Sequence, residues 1–152
     1  MKIALLSFVP DPPTDPLGDL VAQRFQAHSE VQLVREVLRP DLARLKGLLL
    51  AALTDPRFEG VMVVADLPGM YNEQLVSLVE SSLQQHLPAW QPLAAQLLWP
   101  HIGSQALWNH GCLGRSQRRL LCALTGQPAS LEAVLDGLFM PQLDRLLEWA
   151  QR

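Results

Sequence analysis

The chain has 152 residues, 49% of them hydrophobic and 18% charged; this is the profile of one globular domain and excludes both a disordered segment and a small scaffold stapled by disulfides or metal. Twelve Lys plus Arg against fifteen Asp plus Glu leave a formal charge of -3, so the basic footprint on which nucleic-acid affinity rests is missing. Cys112 and Cys122 have no second pair with which to build a disulfide framework or a zinc site, and they read as buried small hydrophobes.

Lys2 to Val9 is an apolar run of strand length that stops at the Pro-rich segment Pro10 to Pro16; it lacks the cleavage site of a secretory leader and is expected to be a first buried strand. From Gly18 to His28 the residues Leu20, Val21, Phe25 and Ala27 are expected on one helical face. Val31 to Leu38 carries the β-branched residues of a second strand. Asp41 then stands at the N-cap of a helix on which Leu42, Leu45, Leu48, Leu49, Ala52 and Leu53 repeat, stopped by Asp55-Pro56.

Gly60 to Ala65 is the most strand-like run and ends in the turn Asp66-Leu67-Pro68-Gly69. A helix is expected from about Asn72 to Gln85, closed by Pro88, with a further helical piece from Pro92 to Leu98. Arg118 to Leu124 reads as a fourth strand running into Thr125 to Ser130. The last helix carries Leu131, Val134, Leu135, Leu138 and Phe139; Pro141 interrupts it, and Leu143, Leu146, Leu147 and Trp149 continue the apolar stripe. Alternating strands and helices make the class α/β with a mostly parallel sheet. No apolar run approaches the roughly 20 residues that cross a bilayer, so no membrane contact and a cytoplasmic location are expected.

Three strand ends combine with polar or Gly-containing turns: Asp41, Asp66 to Gly69, and Thr125 to Ser130. In a parallel sheet they meet at one edge, where ligands bind. Each has a plain structural role as well. Asp41 and Ser130 suit helix caps, and Glu73 suits the positive end of a helix dipole. Gly126 and the following helix start suit close approach to an anion. The four histidines show no i, i+3 or i, i+4 pairing for a metal. Arg115, Arg118 and Arg119 could gather a phosphate or form an exposed basic hairpin. The tryptophans, confined to the second half, suit the core or a subunit interface.

From Leu87 onward the order of features resembles the Mog/MoaB family, the molybdopterin-binding domains of molybdenum cofactor biosynthesis. Leu87-Pro88-Ala89-Trp90 is similar to the family's Pro-Gly-Phe segment, and Ile102-Gly103-Ser104-Gln105-Ala106 to its short Gly-to-Ala helix start. Leu124-Thr125-Gly126-Gln127-Pro128-Ala129-Ser130 resembles its Leu-Pro-Gly-Gln/Ser-Pro turn, and Leu135 to Leu143 its closing Glu-Gly and Pro-Leu pattern. In the first half, Arg35 to Asp41 resembles the strand that ends in Pro-Asp.

The resemblance covers nearly the whole chain as a single domain. It implies a three-layer α/β/α sandwich, a homo-oligomer (trimer or hexamer) and molybdopterin as the ligand at the sheet edge. In an active member, adenylyl transfer from ATP would use Mg²⁺ held by Asp41 and Glu73 as catalytic carboxylates. Ser7, Asp66, Gly69, Thr125, Gly126, Gln127, Pro128 and Ser130 take the positions that would contact substrate. The departures fall at that edge. Where the family has Thr-Gly-Gly-Thr-Gly this chain has Val64-Ala65-Asp66-Leu67-Pro68-Gly69; Glu73 replaces an Asp, Asn109-His110 replaces Ser-Arg, and of the early Ser-Asp-Arg only Ser7 is kept. These changes leave open a second reading, a non-catalytic relative that binds a ligand or serves as an oligomeric interaction protein.

Overall fold

The structure, a computed structural model, describes residues 1–28 and 30–152. The first three strands are β1 (Lys2–Phe8), β2 (Gln32–Leu38) and β3 (Gly60–Ala65), separated by helices α1 (Pro16–Phe25) and α2 (Leu42–Thr54). Then come α3 (Tyr71–Ser81), the two-residue strand β4 (Gln85–His86), α4 (Trp90–Ile102) with a 3₁₀ turn over Gly103–Leu107, and the strands β5 (Gly111–Ser116) and β6 (Arg119–Thr125). The chain closes with α5 (Pro128–Val134), a π turn over Leu135–Phe139, a 3₁₀ turn over Met140–Gln142 and α6 (Leu143–Ala150). No helix of the described residues is long and apolar enough to cross a membrane.

The six strands lie in the order β2-β1-β3-β6-β5-β4. The first four are parallel, while β5 runs antiparallel to β6 and β4 antiparallel to β5. A parallel sheet covered on both faces needs strands apolar on both sides, and alternation divides them cleanly. Ile3, Leu5, Met62, Val64, Leu120, Cys122 and Leu124 pack under α1, α4, α5 and α6. Ala4, Leu6, Phe8, Val61, Val63, Leu121 and Ala123 pack under α2 and α3. The result is the expected three-layer α/β/α sandwich. On the first face Phe139 meets Phe25 at 6.4 Å and Trp90 edge-on at 6.5 Å, tying α1, α4 and the π turn together.

The N-terminal expectations hold closely, and the differences lie further along. Helix α1 starts at Pro16 and ends at Phe25, leaving Ala27 exposed beyond its last turn. Helix α3 stops at Ser81 instead of running to Gln85, because Gln85 and His86 turn extended and pair with Arg115 and Gly114. Helix α4 is longer than Pro92 to Leu98, with Pro92 in its first turn, where a missing N–H costs nothing. The expected fourth strand is the sixth, with β5 placed beside it through a hairpin. Around Pro141 the helix tightens into the 3₁₀ turn before resuming as α6.

Candidate functional site

Parallelism brings the carboxyl ends of β1, β2, β3 and β6 to one edge. The chain leaves β1 toward β2 on one side, and β3 lies on the other; that reversal of direction opens a crevice in such sheets. A crevice of ≈ 280 Å³ lies there. Phe8, Val9 and Leu17 form its apolar wall, Thr14 and Asp15 its polar side, and Asp66 and Pro128 its far rim.

The best-organised polar group of this edge is one that the sequence reading passed over. Asp15 caps α1, its Oδ1 accepting the Gly18 N–H at 3.0 Å. Its Oδ2 accepts from the Arg35 guanidinium at 2.8 Å, and its main-chain carbonyl accepts from the same group at 3.2 Å. Asp15 is buried, and Arg35 reaches it from β2 while also pairing with Asp19 at 2.7 Å. Burial alone would lower the Arg35 pKa, but the hydrogen bonds and charges of Asp15 and Asp19 outweigh it and hold the guanidinium above its ordinary value. Beside the carboxylate, the Ser7 hydroxyl is fully buried with no partner among the described residues. Gly18 is required at this close approach, since a Cβ there would stand 2.0 Å from Asp15 Oδ2 and 2.7 Å from Ser7 Oγ. The signal was in the sequence: Asp15-Pro16 is the N-cap and first-turn Pro that open a helix, hidden among other prolines.

The expected site residues separate into three places. Asp66 and Pro128 line the crevice, with Ser7 buried behind it. Thr125 and Gly126 are built into the sheet. The Thr125 N–H and hydroxyl both donate to the His110 carbonyl, at 2.8 and 2.9 Å, and the Gly126 N–H donates to the Ala65 carbonyl at 3.0 Å. Gln127 is the residue before α5, its carbonyl accepting the N–H groups of Ser130 and Leu131. Ser130 is therefore not a cap as expected; it is buried inside the first turn.

Asp41 and Glu73 lie outside the crevice lining, at the starts of α2 and α3. Asp41 caps its helix as expected, Oδ1 accepting the Arg44 N–H at 3.1 Å. Glu73 lies in the first turn of α3. Tyr71 carries a buried hydroxyl with no partner among the described residues, and its pKa is raised by burial and then by the charge of Asp41. Each carboxylate keeps an oxygen for a metal, and Mg²⁺ asks for only one or two carboxylates when phosphates supply the rest. Among the described residues no three His, Cys, Asp or Glu side chains gather into a metal-holding group.

As an anion cradle the β3 turn is poorly furnished. The Leu67 N–H is already spent on Asn72 Oδ1 at 3.0 Å, Pro68 has none, and Asp66 stands exposed at the strand end. Only Gly69, with φ 66°, keeps the permissive backbone of a phosphate loop. The three arginines of the hairpin do not gather a phosphate between them: Arg119 is turned to the Asp55 and Phe58 carbonyls, whereas Arg115 and Arg118 face the C-terminal residues.

No family model matches the sequence, and no curated protein matches it significantly. Solved structures do match along the whole chain. A molybdenum cofactor biosynthesis protein B superposes with a TM-score of 0.83 at 15% identity, covering 99% of this chain and 96% of its own. The molybdopterin biosynthesis enzyme MoaB of Thermus thermophilus superposes with a TM-score of 0.76 at 17% identity, over 99% of this chain and 96% of that one. The Mog protein of Mycobacterium ulcerans gives 0.78 at 14%, over 99% of both chains. The fold is the Mog/MoaB fold. At this identity the Mog/MoaB likeness fixes the architecture and leaves the chemistry of the edge to be argued from its own residues.

Proposed function

We propose that this Mog/MoaB-fold chain serves molybdenum cofactor biosynthesis in the cytoplasm as a molybdopterin-binding protein, with the crevice between β1 and β3 as its binding site. The observation that carries the reading is the coincidence of a whole-chain Mog/MoaB superposition with an open crevice at the reversal point of the sheet. In this reading the apolar wall of Phe8, Val9 and Leu17 takes the ring system, and Thr14 and Asp66 meet its polar edge. Asp15 and Arg35, joined as an ion pair, hold this side of the crevice rigid, and with Asp19 on the same guanidinium the cluster carries one net negative charge.

The second reading adds catalysis. Asp41 and Glu73 each retain a free carboxylate oxygen at this edge, which favours a Mg-ATP-dependent adenylyltransferase in which the metal would orient the ATP phosphates. Against it stand the committed amides of Leu67 and Gly126 and the charge of Asp66, which favour binding without turnover. A homo-oligomer, trimer or hexamer, accords with the exposure of Trp99, Leu107 and Trp108 along the α4 end.

Calorimetric titration with molybdopterin, with and without Mg-ATP, separates these readings. Micromolar binding without a product is the expected result. ATP-dependent adenylylated product would establish the enzyme, and the absence of binding heat would overturn the pterin assignment altogether.

A further inference from the structure

A second concave region lies three strands away from the crevice, across β5 and beside β4, and shares no lining residue with it. It is an apolar basin of ≈ 370 Å³ between the start of α4 and α6. Leu87, Leu93, Leu113, Leu146 and Trp149 form its walls, and Arg145 stands at its margin. Arg152 lines both this basin and an adjoining recess of ≈ 220 Å³ that also holds Arg115 and Arg118.

The two recesses are joined by stacking as well as by Arg152, because the Arg115 guanidinium covers the Trp149 ring at 4.8 Å. The arginines are ordered by neutral acceptors. Arg115 donates to the Trp149 carbonyl at 2.8 Å and Arg118 to the Gln151 carbonyl at 2.8 Å. A carbonyl satisfies the N–H and leaves the positive charge uncompensated. Among the described residues, the one side-chain carboxylate within ion-pair distance of these four arginines is Glu148, 4.0 Å from Arg152, and Arg115 also lies 3.5 Å from the Arg152 main-chain oxygen. Gln142, Arg145, Trp149 and Arg152 line the basin at steps of three or four residues, while Asp144 and Glu148 do not line it and Glu148 lies beside Arg152 at i, i+4.

We propose that this trough binds a small amphipathic carboxylate, its aliphatic or aromatic body in the Leu and Trp basin and its carboxylate against Arg152 and the neighbouring guanidinium groups. Volume and lining are those of a ligand pocket, and the guanidinium fork matches a carboxylate through paired hydrogen bonds. The assignment is independent of the pterin reading, since the two sites have no residue in common.

The test is titration of the full chain with decanoate and with decanol, followed by heat and by tryptophan fluorescence. Expected are saturable one-to-one binding of decanoate and decanol affinity roughly tenfold weaker, the size of one charge-assisted hydrogen bond. Arg152→Gln, at a side chain 71% exposed, should weaken decanoate about tenfold and leave decanol unchanged. Leu93→Glu, at a half-exposed basin residue, should abolish both. Equal affinity for acid and alcohol, no effect of Arg152→Gln, or no saturable binding would each overturn the proposal. Sedimentation showing self-association that Leu93→Glu dissolves would overturn it too, by giving the basin to a second copy of the chain.

Discussion

Asp15 is the residue whose surroundings say most about the crevice. A carboxylate 2% exposed is tolerable only because Arg35 neutralises it and the Gly18 amide solvates it. Arg35→Met should therefore cost about 2–3 kcal/mol, less than a fully buried pair because the arginine side chain stays 29% exposed. Chemical denaturation checks this, and Asp15→Asn in the same background should recover part of the loss. Asp41 separates a cap from a catalyst. Asp41→Ala should lower stability by about 1 kcal/mol, whereas Asp41→Asn, itself a good cap, should leave the thermal midpoint near wild type. Loss of a Mg-dependent turnover in Asp41→Asn alone would establish the catalytic role. Asp55 is held down to about 2 by the Arg57 side chain first and the Arg57 amide second. Its folded pKa lies below the unfolded one, so its contribution is complete above the ordinary carboxylate range and is lost as the pH falls toward 2. Carboxyl NMR should show that midpoint returning toward 3.8 in Arg57→Gln. At this scale Asp41 was legible because a cap is a local pattern. The Asp15–Arg35 pair was not, because its partners meet only after β2 has docked beside β1.

Elements were legible where period and punctuation agreed. Strands β1 and β3 are continuous apolar runs ended by Pro10 and by the Asp66 turn, and α2 lies between Asp41 and Pro56. The antiparallel half was harder to see. Strand β5, Gly111–Ser116, contains two glycines and an arginine, and its glycines serve packing rather than propensity. A Cβ on Gly114 would stand 2.2 Å from the Gln85 carbonyl, so the β4 pairing itself demands the glycine that disguises the strand. The hairpin turn carries a comparable mismatch. Gln117 and Arg118 have φ of 53° and 62°, both left-handed, with neither Gly nor Asn present. Replacement by the pair such turns favour, Gln117→Asn with Arg118→Gly, should raise the unfolding free energy by roughly 1 kcal/mol in urea titration. An unchanged or lowered midpoint would mean that the Arg118 bond to the Gln151 carbonyl outweighs the backbone gain.

For the molecule as a whole, the two cysteines report on the integrity of the sheet. Cys122 is wholly buried on the face under α4 to α6, and Cys112 lies on the opposite face. Burial pushes both thiols up, Cys112 to about 12, with Glu80 adding to its rise. Neither should react with a maleimide at pH 8 in the native protein, and both should react together as denaturant crosses the unfolding midpoint. Native-state labelling of either would show that the sheet opens locally. The architecture as a whole was legible from alternation of element types. The edge chemistry was only partly so, because which amides are already spent depends on tertiary partners such as Asn72 and Ala65.

The strand order has a consequence for synthesis. Strands β1, β2 and β3 can assemble from the first 65 residues, but the outer edge of β3 waits for β6, which pairs Gly60 with Leu120. While the ribosome makes the intervening helices, a row of main-chain donors and acceptors on the strand Gly60–Ala65 stands bare. The nascent chain thus carries this adhesive edge while residues 66–118, about a third of the chain, are being made.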